Sequence, residues 1–300
     1  MSLFDIAILT ESRYINPSKT DWYIENVLKE DGLVQSALEE IGLKVTRVDW
    51  ADPNFDFSST RSAIFRTTWD YFHRFEEFSK WLDIAVTKTK LINPLETIRW
   101  NIDKHYLNDL KERGVNVPPT VFIEAGEKVT LASLHHDHQL NETVLKPAIS
   151  GAGRHTYKLN QKTTAKHEEI FQNLLKNESM LLQAFQSNVL SKGEVAYMVF
   201  GGKFTHAILK KAKRGDFRVQ DDFGGSVELY QPSSEEIAFA ENAVSKCRPM
   251  PVYARVDVIY DNNNQLSVTE MELIEPELWF RYCPEAADVL AASVADSLFN

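Results

Sequence analysis

Apolar positions along this chain change period several times, and each change marks an element. Leu3 to Leu9 (LFDIAIL) is a short, nearly continuous apolar run of the length of a buried strand. From Asp21 to Ile41 the residues Ile24, Val27, Leu28, Val34, Leu38 and Ile41 recur at helical spacing, and Gly42 follows as a C-terminal cap. Leu43 to Val48 predicts a second strand, Ser62 to Phe65 a third, Phe75 to Val86 a helix and Leu91-Ile92 another short strand. Strand and helix alternate over residues 1–97, which predicts a small parallel α/β unit. Ligands of such units gather beyond the carboxyl ends of the strands, here at Thr10 to Ser12 and Arg66 to Tyr71. Arg66, Thr67 and Asp70 are therefore substrate candidates: a guanidinium grips a carboxylate and an aspartate holds an ammonium. The other reading is an Arg66–Asp70 ion pair bracing the corner.

Asn101 to Arg113 predicts an amphipathic helix with Ile102, Tyr106, Leu107 and Leu110 on one stripe. Lys104 lies off that stripe in the first turn, where it opposes the helix dipole unless an anion sits nearby; a solvated lysine is the plainer reading. A strand ending near Lys146 leads into a glycine loop with Ser150, Gly151 and Gly153, and Arg154 to Leu159 predicts the returning strand. Glycines allow close backbone approach, and successive N–H groups can cradle phosphate oxygens. No Gly-Lys-Ser/Thr opens a helix, so this is not a Walker A loop, and an ordinary hairpin turn has the same composition. Thr164 to Leu175 is helical, and Met180 to Phe185 is a strand whose Gln183 offers an amide to an adenine edge. Glu194 to Phe200 and Lys203 to Leu209 form a hairpin about Gly201-Gly202. The basic run Lys210, Lys211, Lys213, Arg214 and Arg218 reads mostly as a solvated loop. His135, His136, Asp137 and His138 read the same way, because adjacent positions splay apart and nothing completes a metal site.

Val252 to Trp279 carries the densest chemistry. VYARVDVIY and LSVTEMELI alternate as strands about the turn residues DNNNQ. A four-residue loop, Asn262 to Gln265, sets Asp257 opposite Glu270 and Arg255 opposite Glu272. Val256, Val258, Tyr260, Thr269, Met271 and Leu273 then form the core face. Three carboxylates so close raise one another's pKa, and a hard divalent cation relieves the conflict. A solvated acidic face is the alternative, and a loop one residue different scatters the carboxylates.

Composition narrows the classes. The chain has 300 residues, enough for two or three packed units. Lys+Arg 33 against Asp+Glu 43 gives a net charge of −10, which argues against general nucleic-acid or anionic-membrane partners. Two isolated cysteines, Cys247 and Cys283, fit a reducing cytoplasm, and no apolar run is long enough to span a bilayer.

In order, these pieces resemble the ATP-grasp superfamily: Lys104, Lys146 before Ser-Gly-Ala-Gly, the LLQAF strand, the Gly-Gly hairpin, Arg218, Arg255-Val-Asp257 and Glu270-Met-Glu272. The likeness is nearest the glutathione synthetase and ribosomal-protein glutamate ligase branch and covers about residues 95 to 300. RTTWDY and ELIEPEL also resemble a bacterial subgroup that includes the cycloserine-forming cyclo-ligase. The resemblance implies an N-terminal parallel α/β domain (1–97), a small ATP-grasp subdomain with its linking helix (98–187) and a C-terminal subdomain with the metal site (188–300). It implies that Lys104, Lys146, Ser150, Gly151, Gly153, Gln183, Phe185 and Glu194 hold ATP, and that Asp257, Glu270 and Glu272 hold Mg²⁺. Arg218 and Arg255 would face the γ-phosphate and the reacting carboxylate. Relatives usually carry Asn where this chain has Glu272. The implied activity is ATP-dependent ligation of a carboxylate to an amine through an acyl phosphate, with an amino-acid or peptide-like substrate. The alternatives are an intramolecular ring closure and a non-catalytic nucleotide-binding protein. The assembly state stays open, a homodimer included.

Overall fold

The computed structural model describes residues 2–151, 153–213, 215–217, 219 and 224–299. The first apolar run becomes β1 (Phe4–Thr10), whose Ile6, Ala7, Ile8 and Leu9 are wholly buried and so need cover on both faces. It pairs in parallel with β2 (Val45–Asp49) and β3 (Thr60–Thr67), and β4 (Lys90–Ile92) completes the sheet in the order β2-β1-β3-β4. Of the connecting helices, α1 (Trp22–Glu40) starts where the Asp21 carboxylate accepts a hydrogen bond from the Ile24 N–H. The other, α2 (Phe75–Ala85), buries Phe78 and Leu82 against the sheet's aromatic cluster. The expected parallel α/β unit is present, but β3 runs two residues beyond its predicted end.

The helix predicted over Asn101–Arg113 is broken. Here α3 (Leu95–Ile102) ends before Asp103, and α4 (Tyr106–Glu112) begins after it. In the gap the Asp103 carboxylate accepts from the His105 N–H, and the Lys104 N–H donates to the Ala148 carbonyl. The backbone at Lys104 is spent on a neighbouring sheet, which is why no helix passes through it.

That neighbour is an antiparallel sheet of β5 (Thr120–Ile123), β6 (Glu142–Pro147), β7 (Tyr157–Asn160) and β8 (Met180–Ala184), ordered β5-β8-β6-β7. Two helices, α5 (Leu131–Asp137) and α6 (Thr164–Leu175), cover it through Leu134, Phe171 and Leu175. His135 to Asp137 thus close a helix rather than sit in the predicted loop, and His135 is buried beside the Leu140 carbonyl and the Thr143 hydroxyl.

After the short α7 (Val189–Lys192), a second antiparallel sheet holds β9 (Glu194–Phe200), β10 (Lys203–Lys211), β11 (Ser226–Tyr230), β12 (Tyr253–Tyr260) and β13 (Leu266–Glu272). Its order is β11-β10-β9-β12-β13. Side chains alternate. Val195, Tyr197, Val199 and Val256 pack on Ala240 and Val244 of α8 (Ser234–Ser245), whose Ser233 and Glu236 form a capping box. Ala196, Met198, Phe200 and Tyr253 face Leu290 and Val294 of α9 (Ala286–Phe299). β13 is an edge strand, and its free backbone groups are taken by side chains: Asn101 bonds Met271 O and Leu273 N, and the Tyr106 hydroxyl accepts from Met271 N. The fold is mixed α/β, a parallel N-terminal sheet followed by two antiparallel ones. Among the described residues no helix is long and apolar enough to cross a membrane.

Candidate active site

β12 and β13 pair Arg255 with Glu272 and Asp257 with Glu270, the predicted register. The route to it differs from the prediction. Tyr260 pairs with Leu266, so the turn is Asp261–Gln265, one residue longer than expected. A bulge between Asp257 and Val258 inserts one residue into β13 and restores the phase. The inserted residue is Thr269, which leaves the core face predicted for it and lines a cavity, donating to Glu194 Oε2 at 2.8 Å. The same bulge lets Val268 and Met271 both reach the core.

The cavity has a volume of about 600 Å³ and opens over this end of the sheet. Asp257, Glu270 and Glu272 each bring a carboxylate oxygen within 4.8 Å of the others. Arg255 places Nε and Nη2 each 3.0 Å from an Asp257 oxygen and also pairs with Glu272. Its guanidinium lies over Trp279, 5.1 Å from the ring centre. Lys104 Nζ is 3.2 Å from Glu270 and donates to the Ser150 carbonyl at 2.6 Å. Lys210 Nζ is 3.0 Å from Asp257 and 2.7 Å from Glu194. The sequence places Lys210 in a mostly solvated basic run, whereas it is 3% exposed. The available signal was that it alternates with buried His206 and Ile208 and stands opposite Glu194 across the hairpin.

Burial works against charge throughout this cluster, and the neighbours decide each case. For Asp257 burial is outweighed by Arg255 and Lys210, and for Glu270 by Lys104 and Lys146, so both carboxyls sit below the usual range. At Glu272 burial wins, aided by Glu270 and Asp257 against Arg255, and the pKa is pushed up to about 7. Burial pulls Lys146 down, whereas Asp257 and Glu194 overcome it at Lys210 and raise that lysine. Three convergent carboxylates offer the hard oxygen donors that Mg²⁺ takes, so the donor set fits that ion. Glu272→Asn removes one of those anionic donors. It should raise the Mg²⁺ concentration for half-maximal ADP release roughly tenfold, the low end of what altering a metal's surroundings costs. An unchanged or lower Mg²⁺ requirement would place Glu272 on the substrate side instead.

The other predicted nucleotide residues converge on the same cavity. Lys146, Ser150, Gly151, Gly153, Gln183, Phe185 and Glu194 all line it with Lys104. A Cβ on Gly151 would come within 2.7 Å of the Phe72 ring, so a side chain there would force that ring to shift where the loop lies against the N-terminal unit. Gln183 donates its amide to the Thr120 hydroxyl, and Lys158 Nζ stands 3.6 Å over the Phe185 ring. Arg218 lies outside the described residues.

The substrate candidates divide. Asp70 lines the cavity, but its carboxylate accepts from Trp50 Nε1 at 2.7 Å and from Arg74 at 2.8 Å. Arg66 and Thr67 do not line it. Because β3 continues through both, their side chains enter the packed interior rather than the mouth. Arg66 is fully buried and donates to Glu30 at 2.8 Å and to the Pro276 carbonyl at 2.9 Å, and Thr67 donates to Asp31 at 3.0 Å. Neither predicted role for Arg66, substrate grip or partner of Asp70, holds.

A glycine loop on one antiparallel sheet, facing carboxylates and an arginine on another across a lysine-lined cavity, is an ATP-grasp arrangement. The chain belongs to the RimK-like ATP-grasp domain family, which matches residues 106–275, and it is an ATP-dependent ligase joining a carboxylate to an amine. Residues 6–93 match the family described as the N-terminal domain of D-cycloserine synthetase DcsG. The cycloserine biosynthesis protein DcsG of Streptomyces lavendulae is 28% identical over 277 residues, which cover 87% of this chain and 91% of that one. A crystal structure of D-cycloserine synthetase DcsG has the same fold, with a TM-score of 0.86 at 24% identity, covering 98% of this chain and 99% of the other. A RimK domain ATP-grasp protein of Sphaerobacter thermophilus DSM 20745 has a TM-score of 0.68 at 17% identity, covering 97% and 98%.

Proposed function

We propose that the enzyme activates the carboxylate of a small amino-acid-like substrate as an acyl phosphate and closes it onto an amine. The observation that carries this reading is the meeting of Asp257, Glu270, Glu272 and Arg255 with Lys146 in one cavity. Lys104, Lys146 and the Ser150–Gly153 loop would hold the triphosphate, and Gln183 and Phe185 the base. Mg²⁺ held by Asp257, Glu270 and Glu272 would neutralise phosphate charge during transfer. A substrate carboxylate oxygen attacks the γ-phosphorus and ADP leaves. The amine nitrogen then attacks the acyl carbon, phosphate departs with the C–O bond broken, and the nitrogen loses a proton. Arg255, oriented by Asp257 and Trp279, faces the oxyanion of the tetrahedral stage. The match of residues 6–93 to a D-cycloserine synthetase domain supports a ring-closing version, in which carboxylate and amine belong to one molecule. Cys283 and the buried Cys247 are free thiols, which supports a reducing cytoplasm as its setting.

ADP release over a panel of amino acids, with product mass read out, tests the reading. Ring closure gives a product lighter than the substrate by one water, and intermolecular ligation gives the joined mass less one water. No ADP release beyond the blank with any carboxylate would overturn the reading.

A further inference from the structure

Nearly every charged side chain on the cavity wall is answered by an opposite one. Glu11 pairs with Arg13, Asp70 with Arg74, Glu277 with Arg281, Glu270 with Lys104, and Glu194, Asp257 and Glu272 with Lys210 or Arg255. Among the described residues two charged cavity-lining side chains have no opposite charge within ion-pair distance, Lys146 and Glu275. They carry opposite signs and belong to different parts of the wall. Lys146 stands on the sheet that bears the glycine loop, where phosphates are expected. Glu275 follows β13 on a segment clasped by the N-terminal unit.

That clasp is specific. Trp69 Nε1 donates to the Glu275 carbonyl at 2.8 Å, Arg66 to the Pro276 carbonyl at 2.9 Å, and the Leu278 N–H to Glu30 Oε1 at 2.7 Å. The Tyr71 hydroxyl lies beside the Glu275 carboxylate and favours its charged form. Tyr23, Trp69, Tyr71 and Phe72, all from the N-terminal unit, supply aromatic wall to the same cavity. A fixed carboxylate without a counter-cation, beside aromatic rings, has the chemistry that receives an ammonium group.

We propose that Glu275 is the specificity-determining residue for the substrate, binding the ammonium group of an amino acid whose carboxylate is directed to Arg255. Tyr71 orients the carboxylate, and Trp69 and Arg66 are positioning residues that act through the 275–276 backbone. The proposal rests on the ligase reading above and adds what the substrate must carry: a free primary ammonium besides the carboxylate that is activated.

The test uses the full chain with ATP, Mg²⁺ and hydroxylamine, which traps acyl phosphates as hydroxamates whatever the natural amine. D- and L-alanine and D- and L-serine are compared with the matching 2-hydroxy acids, lactate and glycerate. The amino acids should be preferred in kcat/KM by about 10²-fold or more, the scale of a desolvated charge pair left unmatched. Glu275→Gln, which keeps shape and hydrogen bonding but not charge, should raise KM for the best amino acid ~10–100-fold. Its kcat should stay within a few-fold and its ADP affinity by calorimetry should match wild type. Equal use of amino and hydroxy acids, or an unchanged KM in Glu275→Gln, would overturn this proposal and leave the ligase reading standing. No ADP release with these acids or with any other carboxylate of the amino-acid panel would overturn both.

Discussion

Replacing Lys146 by methionine should weaken ADP binding about 10- to 100-fold and leave the nucleotide-free protein as stable as before, or slightly more so. The two halves of that result have one cause. Lys146 stands half-buried on the cavity wall with no opposite charge within ion-pair distance among the described residues, and burial lowers its pKa from the usual lysine value. A lysine whose pKa is lower folded than unfolded costs the native state stability at any pH below its folded value. At neutral pH, methionine removes that cost and fills the same space. Hydrogen bonds to charged groups contribute ~1.5–3 kcal/mol, and losing one such contact to phosphate corresponds to the stated loss in affinity. Calorimetric titration with ADP and a melting curve without nucleotide check both halves. Unchanged ADP affinity would remove Lys146 from the phosphate site, and a large fall in Tm would make it structural.

Arg66→Met should act in the opposite way, costing roughly 3–5 kcal/mol of stability, the usual loss when one partner of a buried ion pair is removed. For a chain of this size that lowers Tm by roughly 10 °C. Glu30 already has its pKa raised by burial, and Arg66 is the largest influence holding it down. Without the guanidinium, Glu30 is left as an unmatched buried charge next to Asp31, whose pKa burial also raises against Arg47 and Arg66. The double variant Arg66→Met/Glu30→Gln should recover a substantial part of the loss, because the neutral pair no longer buries an unpaired charge. Melting curves of wild type, both single variants and the double variant give the coupling. If Arg66→Met melted like wild type while KM rose, Arg66 would belong to the substrate site after all.

Much of the geometry of the carboxylate cluster was legible because a strand has period two. Arg255 and Asp257, and Glu270 and Glu272, must share faces once two strands are read, and those side chains do share the cavity. The register was reached for a different reason, since a longer turn and a bulge at Thr269 offset one another. Turn length and bulge position depend on how Asp261 ties up the N–H groups of Asn263 and Gln265, and on Thr269 finding Glu194 across the cavity. No pattern within the hairpin encodes the second of these. The broken helix at Lys104 has the same origin. Its apolar stripe is continuous, but the Ala148 carbonyl, 44 residues away in the chain, competes for the Lys104 N–H.

From the sequence alone came the element types, the parallel first unit, the acidic hairpin face and the set of candidate nucleotide residues that the cavity gathers. Each of these depends on periodicity or on residue type, which are properties of short stretches of chain. Tertiary structure alone decided that Arg66 braces the interior and that Glu275 lines the cavity with no opposite charge within ion-pair distance among the described residues. Those outcomes depend on which charge meets which after segments as distant as residues 30, 66 and 276 are packed together. In a low-dielectric interior each buried charge is held by its nearest partner, and the identity of that partner is a fact of the folded chain.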